Sequence, residues 1–552
     1  MKFGAKGFLL FSLLVAWAQG LMCSAQELSS SGIIVESQLP IIPIKTYRQN
    51  IQDEPKIIAY MGIVDNDSAA TNIVRYNFSQ HTYRIGIEIR GQSSQYFYPK
   101  KSFGLETRDS IGENLNISLL GLPKENDWIL YGPYGDKTML RNALIYELAG
   151  KMMDWAPRMG FCEVVLNNVY QGVYLFGENI KRDKNRVDIA KLVEKDTIGE
   201  DLTGGYIIKI DKGEQDASAG WFSDIRSNGG NNAKIFFQYH YPEAHKIQIE
   251  QQAYIQNFMH SFEESLNGSD FKHPDTGYAS FIDVGSFIDF FILNEISRNV
   301  DGYRLSTFMY KDKDSNGGKL HMGPIWDFNL GFGNANYCEG QKVQGWGYRF
   351  NEYCYGDVWQ VPFWWERLLE DPAFRNKLKT RWMVLREGAL HTDSIFQWLD
   401  IKTDELEGAI DRNFDSWPIF SQWVWPNSYV GNSYQDEIDF LKEWISERMT
   451  WLDDYMPGVQ IYTRVQEQVM DLSARVYPNP FTDQVQIEIK SGAIDALNVI
   501  RVFNVHGQQI VNHVIKDRTT SISTSNYPAG LYFYELSDLA GRIHERGKLV
   551  KF

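Results

Sequence analysis

Between Phe287 and Gly333 the chain strings together an order of elements that few folds can accommodate. Phe287, Ile288, Phe291 and Ile292, with Glu295 beside them, recur at helical spacing and predict a helix packed on a core. A dense polar stretch follows, Asn294-Glu295-Ile296-Ser297-Arg298-Asn299-Val300-Asp301-Gly302-Tyr303-Arg304-Leu305-Ser306. Next come a predicted strand, Thr307–Tyr310, a polar turn, Lys311–Gly318, and a second short strand, Lys319–Met322. The stretch closes with Gly323-Pro324-Ile325-Trp326-Asp327-Phe328-Asn329-Leu330-Gly331-Phe332-Gly333. A single Asp in a polar turn usually caps a helix or makes an Asx-turn. Two of them on either side of one hairpin point instead to a shared chemical site.

Upstream, Tyr83, Ile85, Ile87 and Ile89 alternate with Arg84, Gly86, Glu88 and Arg90, which predicts a half-buried strand. Glu163–Leu166, the turn residues Asn167-Asn168 and Val169–Phe176 predict a hairpin, and Gly205–Ile210 another strand. Thr138–Met153 carries helical periodicity between them. The pattern turns helical from about Gln248, and a second helical block runs from Pro362 to about Asp454. After Asp471 it changes again, to short alternating runs at Gln484–Ile489, Val499–Phe503, Leu531–Glu535 and Lys548–Val550, separated by turn signals. The expected class is α+β, with a small C-terminal all-β sandwich. The expected division is a signal peptide over 1–25, a lead-in segment over 26–55, the main domain over 56–455, a linker over 456–474 and the sandwich over 475–552.

Charge and cysteines narrow the setting. Lys and Arg number 55 against 70 Asp and Glu, a formal charge of −15, which argues against a nucleic-acid partner. Lys2 and Lys6 precede the apolar run Phe8 to Ala18, and Ser24 and Ala25 follow, the pattern of a secretory signal peptide. That run is too short to span a bilayer, and no later apolar run reaches membrane length. Export would place Cys162, Cys338 and Cys354 where a disulfide can form. Cys338 and Cys354 are the favoured pair, with three free thiols as the alternative. The sequence holds no CxxC or HExxH pattern, no P-loop and no dinucleotide-binding GxGxxG. Ser93 and Ser94 lie in no GxSxG, so they are expected to be turn residues.

Helix, Asp loop, hairpin, second Asp loop is the order in which protein-kinase-like folds present their machinery. There the first Asp orients the acceptor hydroxyl and the second holds the metal that bridges the phosphates. Asp301 and Asp327 are the candidates for those two roles. Ser306 stands where the usual pattern has a metal-binding Asn, and Asn329 offers a further carbonyl oxygen beside Asp327.

With these loops the chain resembles the spore-coat CotH kinase family, a group of atypical secreted protein-kinase-like proteins. The resemblance rests on ordered blocks: Arg90-Gly91-Gln92-Ser93-Ser94 with Pro99-Lys100-Lys101-Ser102-Phe103, and Asp127-Trp128-Ile129-Leu130 with Asp136-Lys137-Thr138-Met139-Leu140-Arg141-Asn142. Glu163, Gly172-Val173-Tyr174-Leu175, Glu178-Asn179-Ile180-Lys181 and the Asp327 loop complete it. The family pattern often has Asp at the position of Asn329. The resemblance implies a bilobal fold with a strand-rich first lobe and a helical second lobe. It also implies ATP with Mg or Mn, and phosphorylation of Ser or Thr on a protein. It implies Asp327 as metal ligand, Asp301 as catalytic base, Lys101 on the phosphates and Glu178 as its ion-pair partner. Lys100 or Lys209 would stand in if Lys101 pointed away, and the basic turn from Lys181 to Arg186 is a further phosphate-contact candidate.

The last 78 residues resemble the type A sorting domain of the type IX secretion system. Val476-Tyr477-Pro478-Asn479-Pro480-Phe481, Pro528-Ala529-Gly530-Leu531-Tyr532-Phe533 and the terminal Gly547-Lys548-Leu549-Val550-Lys551-Phe552 carry that resemblance. It implies Sec export, then passage through the type IX machinery to the outer surface or beyond. The rival reading is a non-catalytic surface protein, on which exposed aromatics such as Trp346, Trp359 or Trp364 bind glycan or a partner.

Overall fold

The computed structural model describes residues 32–66, 71–76, 79–80, 83–212, 217–459, 474–489, 499–505, 508–537 and 543–552. The expected signal peptide lies outside the described residues, as does most of the expected linker. The chain divides into two compact units, 1–460 and 461–552. The class is mixed α+β, with ten α-helices among the described residues.

The first unit begins with strands β1 (Ile33–Ser37), β2 (Ile41–Lys45), β3 (Ile57–Met61), β4 (Asn72–Arg75) and β5 (Tyr83–Arg90). Helix α1 (Ser93–Phe97), strands β6 (Ser102–Arg108) and β7 (Asp127–Tyr131), helix α2 (Arg141–Gly150) and strands β8 (Met159–Leu166) and β9 (Val169–Glu178) follow. β1 and β4 pair with each other, and the other seven strands close into a barrel of order β2-β3-β5-β6-β7-β9-β8. Closure leaves no edge exposed. The alternation legible in β5 puts Ile85 and Ile87 into a core that also holds Phe103, Leu105, Trp128, Val164 and Phe176. The β8–β9 hairpin turns on Asn167 and Asn168, at φ 50° and 67°. Asn tolerates the left-handed region that a two-residue turn needs. The Asn167 side chain also accepts the Thr46 N–H at 2.9 Å, docking the turn on β2.

A second sheet has the order β11-β12-β10-β13-β14, antiparallel throughout. Its strands are β10 (Tyr206–Ile210), β11 (Gly220–Arg226), β12 (Lys234–Tyr241), β13 (Thr307–Lys311) and β14 (Leu320–Met322). The predicted hairpin is β13–β14, with Met309 opposite Met322. Two points differ from the sequence expectation. β11 and β12 occupy a stretch with no strand expected: Ile235, Phe236 and Phe237 of β12 are buried in succession and show no alternation, while β11 buries only Ser223. The expected strand-rich and helical parts also interleave in one sheet, since β10 pairs along its whole length with β13, about 100 residues later.

The remaining helices pack on this sheet, on the barrel and on one another. They are α3 (Ile249–Asn267), α4 (Val284–Ser297), α5 (Phe350–Tyr353), α6 (Trp364–Leu369), α7 (Pro372–Arg386), α8 (Thr392–Glu405), α9 (Ala409–Ser416) and α10 (Tyr434–Tyr455). Helix α4 is the axis. Asp283 caps it by accepting the Ser286 N–H at 2.7 Å, and it is buried from Phe287 to Ser297. Arg298 ends it in the left-handed conformation, φ 44°. Cys338 and Cys354 form a disulfide, and Cys162 is a buried free thiol. No helix among the described residues is long and apolar enough to cross a membrane.

In the second unit, strands β15 (Ala474–Tyr477), β16 (Gln484–Ile489) and β19 (Thr519–Ser523) form one sheet. Strands β17 (Val499–Asn504), β18 (Gln509–Val514), β20 (Gly530–Ser537) and β21 (Ile543–Lys551) form another. Val485, Ile487 and Ile522 of the first share one core with Ile500, Val502, Tyr534 and Leu536 of the second, which makes the unit a β-sandwich.

One buried acid in the first unit yields a stability prediction. Glu263 on α3 is 2% exposed, accepts bonds from Ser223 Oγ at 2.6 Å and Trp364 Nε1 at 2.9 Å, and makes no ion pair among the described residues. Burial pushes its carboxyl up to about 7. The unfolded carboxyl ionises near 4.5, so the native state holds the extra proton between these values and stability falls as pH rises through that window. Glu263→Gln should be near neutral at about pH 4 and stabilising by about 1–3 kcal/mol near pH 8. Urea unfolding at both pH values checks this, and identical pH profiles for the two proteins would refute it.

Candidate functional site

A cavity of about 800 Å³ opens in the first unit. The barrel end contributes Arg90, Ile129 and Tyr131, and the second sheet contributes Lys209, His240 and Phe308. Asp301, Ser306, Asp327 and Asn329 all line it. The hairpin explains the convergence, since β13 and β14 pair antiparallel and return the chain after Met322 toward the loop that precedes Thr307.

The two aspartate loops are clamped to each other and to their supports. Asn299 Oδ1 accepts the Asp301 N–H at 3.2 Å, while its Nδ2 reaches the Asp327 carbonyl at 3.4 Å. Asn142 on α2 accepts the Phe328 N–H at 2.7 Å, and Tyr146, one turn on, accepts the Asp327 N–H at 3.2 Å. Helix α2 is itself pinned by Asp136, whose carboxylate takes the Arg141 guanidinium at 2.6 Å and the Arg141 N–H at 2.9 Å. At Gly302 a Cβ would lie 2.3 Å from Asn294 Oδ1, so this turn admits only glycine. Tyr303, Ser306 and Asp327 sit at φ 69°, 48° and 61°. Such costly left-handed residues cluster where packing over-determines the backbone.

Beneath the loops lies a buried ion pair. Glu295 and Arg448 are both 0% exposed and 3.0 Å apart. Glu295 also accepts from Tyr303 Oη at 2.8 Å and from the N–H groups of Gly347 and Tyr348 at 2.8 and 2.9 Å. Arg448 donates further to the carbonyls of Glu295, Val343 and Gly345.

The other expected residues divide. Lys209 lines the cavity, bonded to Asp211 at 2.9 Å. Lys101 does not line it. Its ammonium turns back to cap the carbonyls of Gln95 and Tyr98, both at 2.6 Å, at the end of α1. Glu178 does not pair with Lys101. It is fully buried, gripped through both oxygens by Arg158 at 2.7 Å and lies 3.4 Å from Arg186. Lys181 is likewise committed elsewhere, to Glu125 at 3.0 Å and Asp127 at 2.6 Å. Lys100 is buried between the Val173 carbonyl and Asn413, away from the cavity, and burial brings its ammonium down to about 7. Ser93 and Ser94 are no mere turn residues, for they open α1 on the cavity wall, and Ser93 Oγ accepts from Lys212 at 3.2 Å. Among the tryptophans, Trp364 is fully buried, Trp346 is half-buried against Phe291 and Trp451, and Trp359 lines the cavity under Lys212.

The electrostatics are those of a crowded acidic pair. Asp301 Oδ1 takes Arg304 Nη2 at 2.9 Å, and Oδ2 has no hydrogen-bond partner among the described residues. Burial raises the Asp301 carboxyl, against the pull of Arg304 and Lys212. Asp327 opens onto the cavity and its carboxylate accepts no hydrogen bond among the described residues. Poor hydration, reinforced by the charge on Asp301, pushes it up to about 6, against the pull of Arg90. No cluster of three or more His, Cys, Asp or Glu side chains among the described residues could hold a metal. Two carboxylates with the Asn329 amide and the Ser306 hydroxyl nearby make an oxygen donor set. That chemistry suits Mg²⁺ or Mn²⁺, which complete their shells with water and phosphate oxygens.

A family model described as CotH kinase protein matches residues 87–452. The chain belongs to that family. The match spans every cavity residue named above, while Asp53, which also lines the cavity of this CotH-family protein, precedes it. A second model, the secretion system C-terminal sorting domain, matches residues 475–550, the sandwich unit, and implies export by the type IX machinery to the cell surface or outside. No curated protein matches the chain.

Removing one partner of the buried pair strands the other charge. Arg448→Met should lower the unfolding free energy by about 3–5 kcal/mol, and adding Glu295→Gln should recover part of the loss by removing that charge. Denaturant unfolding of both variants checks this. A loss under about 1 kcal/mol in the single variant would show the pair to be dispensable.

Proposed function

We propose that this CotH-family protein is an exported protein kinase that transfers the γ-phosphate of ATP to Ser or Thr of an extracytoplasmic protein. Its first unit is read as a bilobal kinase-like domain, with the barrel as first lobe and α4 and its neighbours as second. The observation that carries the reading is the convergence of Asp301 and Asp327 on one cavity, their loops joined by Asn299.

Asp301 is assigned the acceptor. Its Oδ2 is open to hydrogen-bond a Ser or Thr hydroxyl, while Arg304 on Oδ1 fixes the carboxylate plane. The hydroxyl oxygen attacks the γ-phosphorus, ADP leaves, and Asp301 takes the proton. Asp327, with Asn329 and Ser306, would hold the divalent ion, whose chemistry is to neutralise charge on the phosphates. Positioning and charge compensation carry most of such a transfer, so a clamped pair of loops is the principal demand on the fold.

A second reading, a binding protein without catalysis, draws on the aromatic rim of the cavity. Phe97 stacks on Trp425 with centroids 4.5 Å apart, and Trp425 on Tyr337 at 6.2 Å. Such a wall also suits sugar rings or an extended peptide.

Two expected outcomes test the main reading. Asp327→Asn should abolish metal-dependent ATP turnover while the thermal midpoint stays within a few degrees of wild type. In the wild type, Mg–nucleotide affinity should fall as pH drops through about 6, because the ion needs the ionised Asp327 carboxylate. Isothermal calorimetry across the range reads the effect. Undiminished turnover in Asp327→Asn would exclude that residue, and the absence of turnover in wild type with Mg²⁺ or Mn²⁺ would favour the binding reading. For the second unit, deletion of 475–552 should keep nucleotide binding and prevent surface delivery, measured by cell fractionation.

A further inference from the structure

With Lys101 and Lys181 committed elsewhere, Lys209 is the one phosphate candidate of the sequence that reaches the cavity, and Asp211 holds it. We propose that Arg90, helped by Lys212, is the phosphate-gripping cation of this cavity, taking the anionic oxygens of a polyphosphate chain laid beside Asp327. The proposal deepens the phosphotransfer reading and rests on it.

The cations that line the cavity differ in what holds them. Lys209 is held by Asp211 at 2.9 Å, and Arg304 is shared between Asp301 at 2.9 Å and Asp357 at 3.3 Å. Arg90 differs from both. It is the last residue of β5, opposite Ser102 in the barrel, and it lines the cavity. Its guanidinium makes no hydrogen bond and no ion pair with any described residue. Its one close partner is the Trp326 ring, whose centroid lies 5.3 Å from the guanidinium carbon. Trp326 directly precedes Asp327, so this stacking sets Arg90 beside the loop that carries the carboxylate. The two charges act on each other, yet no ion pair consumes either one.

A half-buried guanidinium without an anion is costly, and the fold holds it by stacking alone. Stacking leaves all five N–H groups available, and their planar fork fits two oxygens of one phosphate. From the segment that follows β10 Lys212 presents an ammonium 5.1 Å from the Trp359 ring centroid, donating among the described residues only to Ser93 Oγ. The barrel and the segment after β10 therefore each contribute one cation to the same cavity as the acidic pair. A chain of phosphates bridging them would have its charge compensated from both walls.

Calorimetric titration of the full-length protein with sodium tripolyphosphate, without divalent metal, tests this, alongside ADP and adenosine. Wild type should bind tripolyphosphate. Arg90→Met should weaken tripolyphosphate and ADP about 10- to 100-fold and leave adenosine unchanged. Arg90→Lys, which keeps the charge and loses the fork, should fall between them and serves if the Met variant does not fold. Equal tripolyphosphate affinity in wild type and variants would overturn the proposal, as would no binding by wild type. Arg90-dependent tripolyphosphate binding without any ATP turnover would sink the kinase reading alone and leave the Arg90 site standing. Turnover indifferent to Arg90 would do the reverse.

Discussion

The architecture around the cavity depends on a charge that water cannot reach. Glu295 sits at the end of α4, and its two oxygens accept from Arg448, Tyr303, Gly347 and Tyr348. Those donors come from α10, from the loop after α4 and from the segment before α5. Burying a carboxylate is expensive, and only a full set of donors offsets the cost. The requirement works in reverse as a constraint: once Glu295 is buried, those three segments cannot shift without stranding it. The Asp301 loop leaves α4 through Arg298 at φ 44° and has its far side held by Tyr303, so its course is set at both ends. A hydrophobic substitute could stabilise as much but would not specify register in the same way.

That rigidity answers an electrostatic problem in the cavity. Asp301 and Asp327 repel, and low hydration strengthens the repulsion. Left to relax, the loops would move apart. Asn299 bridges them, Asn142 and Tyr146 tie the second to α2, and Arg304 compensates the first. The left-handed Asp327 is part of the same arrangement: its backbone conformation points the carboxylate into the cavity while its N–H faces Tyr146. The net result is a pair of acids raised above their ordinary range and poised to take a cation or a proton.

Much of this was legible from spacing. Strand β5 and the C-terminal strands carry period-two alternation, helix α4 carries apolar residues at helical spacing, and polar turn residues mark the Asn167-Asn168 and β13–β14 hairpins. The pair Asp301 and Asp327 was legible because the intervening hairpin must bring its two ends together. Strand β12 was not, because residues buried on both faces lose their alternation, and β11 was not, because it buries only Ser223 and shows no apolar face. The phosphate-contact residues misled for a different reason. A Lys in sequence says that a charge exists, whereas the structure decides whether it meets an external anion or a nearby carbonyl. The capping of α1 claims Lys101, and Arg158, which no motif singled out, claims Glu178. Asn299, Asn142 and Tyr146 gave no signal on their own, although Asn142 closes a block that carries the family resemblance. Their role lies in bonds to backbone groups, and backbone partners leave no trace in side-chain pattern.

Export and the site meet in the loop between the second aspartate and α6. Cys338 and Cys354 close a loop across 16 residues of chain, and an oxidising route is what lets such a bond form and persist. Loops of this size contribute about 3 kcal/mol through the unfolded chain. The location matters more than the amount. Tyr337, next to the first cysteine, lines the cavity and stacks toward Trp425, and Asp357, three residues beyond the second, lines it and takes Arg304. Arg304 in turn compensates Asp301. The same loop carries the Gly347 and Tyr348 N–H groups that complete the Glu295 shell. A segment with little regular structure thus holds one wall of the cavity, one partner of the first aspartate and part of the buried charge. Such a segment would be the first to open locally. A covalent closure here, rather than in the already closed barrel, fixes the part of the site that hydrogen bonds alone hold least well.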